Sequence, residues 1–314
     1  MSSSNDSSYC DRPIIAGSRG SRLALQQTQI ALAALRWANP GTEFELRTIR
    51  TEGDRSSASL AEIGGRGVFV IEIERALLAG EIDLAVHSLK DLPSAETPGL
   101  TIGAVLPRED ARDALLSREG LTLERLPAGA TVATGSPRRA AQLRSLRPDL
   151  RLQDIRGNVD TRIRKVEEGQ YDAVVLATAG LARLGWLERA SQVFSPEEML
   201  PAPGQGALAV QVRSDDADAL RFVASADDAD TRAAVTAERA FERRLGGGCN
   251  AAVAALAEVD GARLRLRGLV ADPAGGRSVK GETEGDAADA DGLGVELAER
   301  LIAQGATAFL EAAT

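Results

Sequence analysis

The chain has 314 residues, of which 44 % are hydrophobic and 26 % are charged, as in an ordinary globular protein. No stretch approaches the roughly 20 consecutive apolar residues that span a bilayer. Residues 1–10 are polar and lack the features of a signal peptide, so we expect a disordered tail and a cytoplasmic protein. Two cysteines and one histidine exclude a disulfide framework and a multi-histidine metal centre, and we expect no bound metal.

The distribution of charge indicates an anionic small-molecule ligand. The formal net charge of −9 argues against a general binder of nucleic acids or anionic membranes. Residues 134–165 nevertheless carry nine basic side chains against three aspartates, a local net charge of +6. Because a guanidinium binds a carboxylate through paired N–H donors, this segment predicts a site for an acidic ligand.

Strand and helix patterns alternate along the first part of the chain. The predicted strands are 13–16, 43–50, 83–87, 131–134, 150–155 and 171–177, and a turn is predicted at 17–20. The predicted helices are 21–38, capped by Ser21, 68–79, 137–147, capped by Ser136, and 159–168. This alternation predicts parallel α/β units, whose ligand sites lie at the carboxyl ends of the strands, where the arginine-rich turns also fall.

The pattern changes after about residue 226. A helix over 231–245 leads to the glycine-rich segment 246–250, and strands near 253–259, 263–270 and 278–284 precede a helix over 293–304. These elements predict a small α+β domain. Segments 107–110 and 200–206 are typical of hinges between two α/β lobes.

Three features could carry chemistry. Cys249, beside three glycines, is either a small residue in a tight turn or an accessible sulfur that holds a covalent group. Lys90 and Asp91 are either a solvated ion pair or a functional pair at a strand end. In the second case, Lys90 would bind a carboxylate and Asp91 would stabilise a cation. The arginines at strand ends and helix starts form either a helix surface or an anion site favoured by the helix dipole.

Eight motifs, in order and with matching spacing, resemble the porphobilinogen deaminase (hydroxymethylbilane synthase) family. They are AGSR at 16–19 with SRLAL at 21–25, GGRGVF at 64–69, DLAVHSLKDLP at 83–93, RR at 138–139, RGNV at 156–159 with TR at 161–162, AGLAR at 179–183, LPAPGQGA at 200–207, and TAER at 236–239 leading to GGC at 247–249.

The resemblance implies a transferase that joins four porphobilinogen molecules head to tail into hydroxymethylbilane, with release of ammonia, in tetrapyrrole biosynthesis. It implies a dipyrromethane cofactor attached to Cys249 by a thioether. The implied fold is α/β, with two lobes like type II periplasmic binding proteins, parallel-rich sheets and a small α+β carboxyl-terminal domain. Lobe 1 would comprise 11–106 and 207–225, lobe 2 would comprise 107–206, and the third domain would comprise 226–314.

The resemblance also assigns site residues. Asp91 matches the catalytic aspartate. The cofactor-binding positions match Cys249, Lys90, Asp91, Ser136, Arg138, Arg139, Arg156, Arg162, Gly180 and Arg183. The substrate-binding positions match Arg19, Ser21, Arg66, Arg156, Arg183 and Gln205. Two departures are Arg66, where many relatives have lysine, and Pro137, where leucine is more usual.

We expect a monomer whose partner is porphobilinogen, without nucleic acid or membrane. The alternative is a two-lobed protein that binds a carboxylate ligand without catalysis, against which stand the absent export signal and the Cys249 segment. An RNA-binding protein is poorly supported by the acidic isoelectric point of about 5.0 and the few aromatic residues.

Overall fold

The computed structural model describes residues 12–50, 70–246, 251–272, 274 and 276–311. The predicted tail, Arg66 and Cys249 therefore lie outside the described residues. The chain divides into two compact units. Among the described residues, the first unit comprises those up to Pro107 together with Leu208–Ala229, and the second unit comprises Arg108–Ala207 and the residues from Asp230 onward. Within the described ranges, no helix has the length and apolar character needed to cross a membrane.

The first unit contains a five-stranded sheet. Its strands are β1 (Ile14–Arg19), β2 (Phe44–Ile49), β3 (Leu84–Ser88), β4 (Leu100–Val105) and β10 (Leu208–Arg213), in the order β2-β1-β3-β10-β4. Strand β1 runs parallel to β2 and β3, whereas β10 runs antiparallel to β3 and β4. The unit's helices are α1 (Arg22–Ala38), α2 (Ile71–Leu78) and α6 (Ala217–Ala224). Its main core places Leu32 and Leu35 of α1 with Ile14 and Val210 of the sheet.

The second unit contains a five-stranded sheet with the same pattern. Its strands are β5 (Asp113–Ser117), β6 (Thr131–Ala133), β7 (Arg151–Gln153), β8 (Ala173–Ala177) and β9 (Gln192–Val193), in the order β7-β6-β8-β5-β9. Strand β6 runs parallel to β7 and β8, and β5 runs antiparallel to β8 and β9. The helices α3 (Pro137–Leu146), α4 (Val159–Glu167) and α5 (Thr178–Leu184) follow β6, β7 and β8.

The second unit also contains a three-stranded antiparallel sheet. Its strands are β11 (Ala252–Asp260), β12 (Arg263–Ala271) and β13 (Ser278–Asp286), and its helices are α7 (Ala229–Leu245), α8 (Ala290–Ala303) and α9 (Thr307–Glu311). Phe241 of α7 packs over Gly268, where a Cβ would lie 2.6 Å from the ring. The predicted fold class, α/β with parallel-rich sheets and a small α+β part at the carboxyl end, is confirmed.

The predicted turn at 17–20 is wrong, because β1 continues through Gly17 to Arg19. Gly17 lies within the sheet, and a Cβ there would be 2.3 Å from Cδ1 of the buried Ile82. This glycine is therefore needed for close packing and not for a turn. The sequence pattern also missed β4, β5, β9 and β10, of which β5 and β10 run against their neighbours and break the simple parallel alternation.

Candidate functional site

Asp91 lies in a short turn whose backbone is fixed by buried side chains. The turn, Leu89–Asp91, is a 3₁₀ helix that begins directly after β3. Leu89 and Leu92 are both buried, and the Leu92 N–H donates to the Leu89 carbonyl at 3.1 Å. Lys90 and Asp91 are half-buried. The two charged side chains thus stand at the carboxyl end of a buried strand, as the sequence predicted.

Arg19 and Ser21 lie at the same edge of the first sheet. Strands β1 and β3 are parallel neighbours, and Arg19 is the last residue of β1. Ser21 caps α1 as predicted, because its Oγ accepts the Ala24 N–H at 3.2 Å. Gln27 of α1 donates to the Ser88 hydroxyl at 2.8 Å, which ties this helix to the end of β3. The first unit therefore groups Arg19, Ser21, Lys90 and Asp91 at one edge.

His87, the one histidine of the sequence, is buried in β3 with 6 % of its surface exposed. Burial lowers its pKa to about 4, and the neighbouring charge of Arg19 acts in the same direction, against a hydrogen bond with Gln211. The imidazole is therefore neutral near neutral pH, and the cationic side chains of this edge are those of arginine and lysine.

In the second unit, the start of α3 places two arginines together. Ser136 caps the helix as predicted, accepting the Arg139 N–H at 3.4 Å, and Pro137 occupies the first turn. Arg138 and Arg139 follow at once, and both are buried, with 4 % and 7 % of their surfaces exposed. These two guanidiniums are inside the unit and not on a helix surface.

Both arginines contact Asp113, the first residue of β5. The sequence did not predict Asp113 as a residue of this site. Arg139 donates to Asp113 Oδ1 from Nε at 3.0 Å and from Nη2 at 2.6 Å, and Arg138 Nη1 lies 2.8 Å from Oδ2. Burial raises the pKa of Asp113, but the charges and hydrogen bonds of the two arginines outweigh it and hold the pKa well below its ordinary value. No spacing in the sequence links a carboxylate 26 positions away to this helix.

Gln205 and Gly206, in the segment that follows β9, contact other parts of the second unit. Gln205 Nε2 donates to Asp113 Oδ1 at 2.9 Å and to the Ala111 carbonyl at 2.7 Å. Arg183 donates from Nη2 to the Gly206 carbonyl at 2.6 Å, and burial lowers its pKa to about 10. Gly180 is buried on the same helix as Arg183.

Arg156 and Arg162 complete the second group. Arg156 follows β7 and lies 3.1 Å from Asp154 through Nε, while Arg162 of α4 donates to the Gly157 carbonyl at 2.7 Å. Both side chains are half-buried. Since β6, β7 and β8 are parallel, the residues that follow these strands lie along one sheet edge. This is the location that the sequence predicted for the arginine-rich turns.

The structure therefore forms two groups of predicted residues. The first unit holds Arg19, Ser21, Lys90 and Asp91, and the second unit holds Ser136, Arg138, Arg139, Arg156, Arg162, Gly180, Arg183 and Gln205. Their individual roles remain predictions. Within the described part of the chain, no group of three or more His, Cys, Asp or Glu side chains is arranged to hold a metal ion.

Comparison with known proteins identifies the family of this chain. The family model described as "Porphobilinogen deaminase, dipyromethane cofactor binding domain" matches residues 14–221, and the family model described as "Porphobilinogen deaminase, C-terminal domain" matches residues 232–303. The porphobilinogen deaminase of Roseiflexus sp. (strain RS-1) is 51 % identical, with 95 % of this chain and 98 % of that protein covered. That of Roseiflexus castenholzii is 50 % identical, with 94 % and 97 % covered. A solved substrate-binding domain of a putative amino acid ABC transporter from Streptococcus pneumoniae is 14 % identical, with a TM-score of 0.43 and 68 % and 91 % covered. The chain belongs to the porphobilinogen deaminase family.

Proposed function

We propose that this chain performs its family's reaction on a dipyrromethane attached to Cys249 by a thioether, with Asp91 as the catalytic carboxylate. The reaction joins four porphobilinogen molecules head to tail into hydroxymethylbilane and releases ammonia. The chain is thus a transferase of porphyrin biosynthesis with a dipyrromethane cofactor. The observation that carries the site assignment is the pair of adjacent buried arginines in the second unit, Arg138 and Arg139, which share the single carboxylate of Asp113.

The chemistry of these residues fits the cofactor. Each pyrrole of a dipyrromethane bears two carboxylates, and guanidinium is the side chain that matches carboxylate in charge and geometry. Arg138 and Arg139 together carry one positive charge more than Asp113 offsets. Arg183 is a further half-buried guanidinium of this unit, and it donates to the Gly206 carbonyl. When bound, the dipyrromethane supplies the terminal pyrrole to which the first porphobilinogen is joined.

Asp91 is proposed to stabilise the positive charge that develops as porphobilinogen loses ammonia. A carboxylate held in place before the reaction stabilises such a charge without reorganising, and it also accepts the pyrrole N–H. The buried Leu89 and Leu92 supply that fixed backbone. Arg19 and Ser21 are at the same edge, where they would bind the substrate, and Lys90 beside them would bind a carboxylate of the cofactor.

The remaining assignments complete the proposal. Ser136, Arg156, Arg162 and Gly180 would hold the cofactor, and Arg156, Arg183 and Gln205 would also bind substrate, together with Arg66. The proposed organisation is lobe 1 at 11–106 and 207–225, lobe 2 at 107–206, and a cofactor-attachment domain at 226–314. We propose a cytoplasmic monomer that needs neither nucleic acid nor membrane.

Intact mass spectrometry of the denatured protein tests the attachment. Protein made in a porphobilinogen-replete cell should be heavier than its sequence by two linked pyrrole units. Cys249→Ser should lack the excess, and Cys10→Ser, which removes the other cysteine of the sequence, should retain it. An unmodified parent mass would contradict the proposal and restore the alternative of a carboxylate-binding protein without catalysis, which the family match does not favour.

A further inference from the structure

Asp113 is a fully buried carboxylate to which the functional assignments above give no role. Three side chains with assigned roles contact it. Oδ1 accepts from Arg139 Nε at 3.0 Å and Nη2 at 2.6 Å and from Gln205 Nε2 at 2.9 Å, and Arg138 Nη1 forms an ion pair with Oδ2 at 2.8 Å. One carboxylate therefore connects two predicted cofactor-binding residues with a predicted substrate-binding residue.

The charges in this cluster require a counter-charge. Arg138 and Arg139 are adjacent in the first turn of α3, and both guanidiniums are removed from water. Two buried like charges repel each other, and each pays a desolvation penalty unless it is paired. Asp113 is the carboxylate that both guanidiniums contact, so it offsets part of this repulsion.

Contacts within the unit also restrain the two guanidiniums. Arg139 donates from Nη1 to the Val175 carbonyl at 3.0 Å and from Nε and Nη2 to Asp113, so its planar group is held from two sides. Arg138 makes both contacts through one nitrogen, since Nη1 donates to the Leu200 carbonyl at 2.7 Å and lies 2.8 Å from Asp113 Oδ2.

We propose that Asp113 is a positioning residue: it holds Arg138, Arg139 and Gln205 in the one arrangement in which the two arginines bind a carboxylate of the dipyrromethane. This inference rests on the proposed function, since it takes Arg138 and Arg139 as cofactor ligands. Asp113 itself does not touch the cofactor in this scheme.

The test compares Asp113→Asn with Asp149→Asn as the matched control. Asp149 also binds an arginine through both oxygens, with Arg147 Nε at 2.8 Å and Nη2 at 2.7 Å, but on the surface of the same unit. Each protein is made in a porphobilinogen-replete cell, its fold is checked by circular dichroism and gel filtration, and its modified fraction is measured by intact mass. We expect the modified fraction of folded Asp113→Asn to fall about tenfold or more, since misplaced charged partners weaken binding strongly. Asp149→Asn should match the parent.

Asp113→Glu is the second variant, because it keeps the charge balance but displaces the oxygens by one methylene. We expect it to fold, to carry a reduced modified fraction, and to show a KM for porphobilinogen that rises more than kcat falls.

A purely structural role predicts instead that folded Asp113→Asn and Asp113→Glu carry the parent's modified fraction and KM, and that result overturns the inference. If Asp113→Asn does not fold, the modified fraction and KM of Asp113→Glu test the inference. If neither variant folds, that result also counts against a positioning role. If the parent protein carries no added mass, both the attachment at Cys249 and this inference are wrong. If the parent and Asp113→Asn carry the added mass to the same extent, only this inference is wrong.

Discussion

Arg108 and Glu238 form a buried ion pair joined by two hydrogen bonds, although 130 positions separate them in the chain. Nη1 donates to Oε1 at 2.6 Å and Nη2 donates to Oε2 at 3.1 Å. The Glu238 carboxylate also accepts the Gly204 N–H at 2.6 Å and the Ala257 N–H at 2.7 Å. A single carboxylate on α7 thus connects the segment before β10 with strand β11.

Glu238→Gln should strongly destabilise the protein. Removing one partner of a buried pair leaves the other charge uncompensated, and the expected loss in unfolding free energy is about 3–5 kcal/mol. Glu282→Gln is the control, since Glu282 pairs with Arg265 on the surface, where such a pair is worth about 0–1 kcal/mol. Denaturant unfolding of both variants measures the difference, and equal midpoints would refute a stabilising role for the Arg108–Glu238 pair.

Gly206→Ala should destabilise the protein more than Gly120→Ala. Both glycines have positive φ, +91° and +69°, so alanine is strained by about 1–2 kcal/mol at either position. At Gly206 a Cβ would also lie 2.3 Å from the Glu109 carbonyl oxygen, whereas at Gly120 nothing lies within 4 Å. We expect a further loss of about 1–3 kcal/mol at Gly206, measured by denaturant unfolding. Similar losses in the two variants would show that the backbone accommodates the extra atom.

Arg162→Leu should impair cofactor assembly or stall chain growth, because it removes a charged donor for a carboxylate. Such a loss is expected to be about 2–4 kcal/mol in binding where the partner stays buried. Arg164→Leu is the matched control on the same helix, since Arg164 is exposed and lies near Glu168 one turn away. The masses of enzyme-bound chains after brief exposure to porphobilinogen measure the effect. If both variants elongate like the parent, Arg162 is not a ligand-binding residue.

Asp91→Asn should lower turnover by at least about 10²-fold while the fold stays intact, because it keeps size and an acceptor oxygen but removes the negative charge. Asp91→Glu keeps the charge at a displaced position and should retain partial activity. The measurement is a single-turnover addition of porphobilinogen to holoenzyme that already carries its cofactor, with thermal midpoints as the control for folding. Parent-like chemistry in Asp91→Asn would remove Asp91 from the catalytic role.

The free energy of unfolding should fall as the pH is lowered from about 6.5 towards 4 because of His87. Burial holds its pKa at about 4 in the folded chain, against 6.5 for an ordinary histidine. In this window the unfolded chain binds a proton that the folded chain does not, and the full difference amounts to about 3 kcal/mol. Above about pH 6.5 both states are neutral and the contribution does not change.

His87→Gln should show a shallower decline of unfolding free energy across this pH range than the parent. The comparison uses slopes and not absolute stabilities, so a loss of packing in the variant does not affect it. Parallel curves for the two proteins would contradict the buried, neutral state of His87.

Local features of the fold could be predicted from the sequence because they depend on neighbouring residues. Ser21 and Ser136 cap their helices three residues ahead of the N–H groups that they accept, and such caps have a recognisable pattern. The position of Asp91 after a short apolar strand and the arginines after β6 and β7 were predicted for the same reason. The ordered motifs then identified the family before any contact was known.

Only the tertiary structure decided how charges are paired and which strands reverse. Arg139 meets Asp113, and Arg108 meets Glu238, through contacts between residues 26 and 130 positions apart. The antiparallel β5 and β10 likewise depend on which strands become neighbours. Neither kind of contact leaves a periodic pattern in the sequence, because the free energy of a buried ion pair or a strand pairing arises only when distant segments exclude water together.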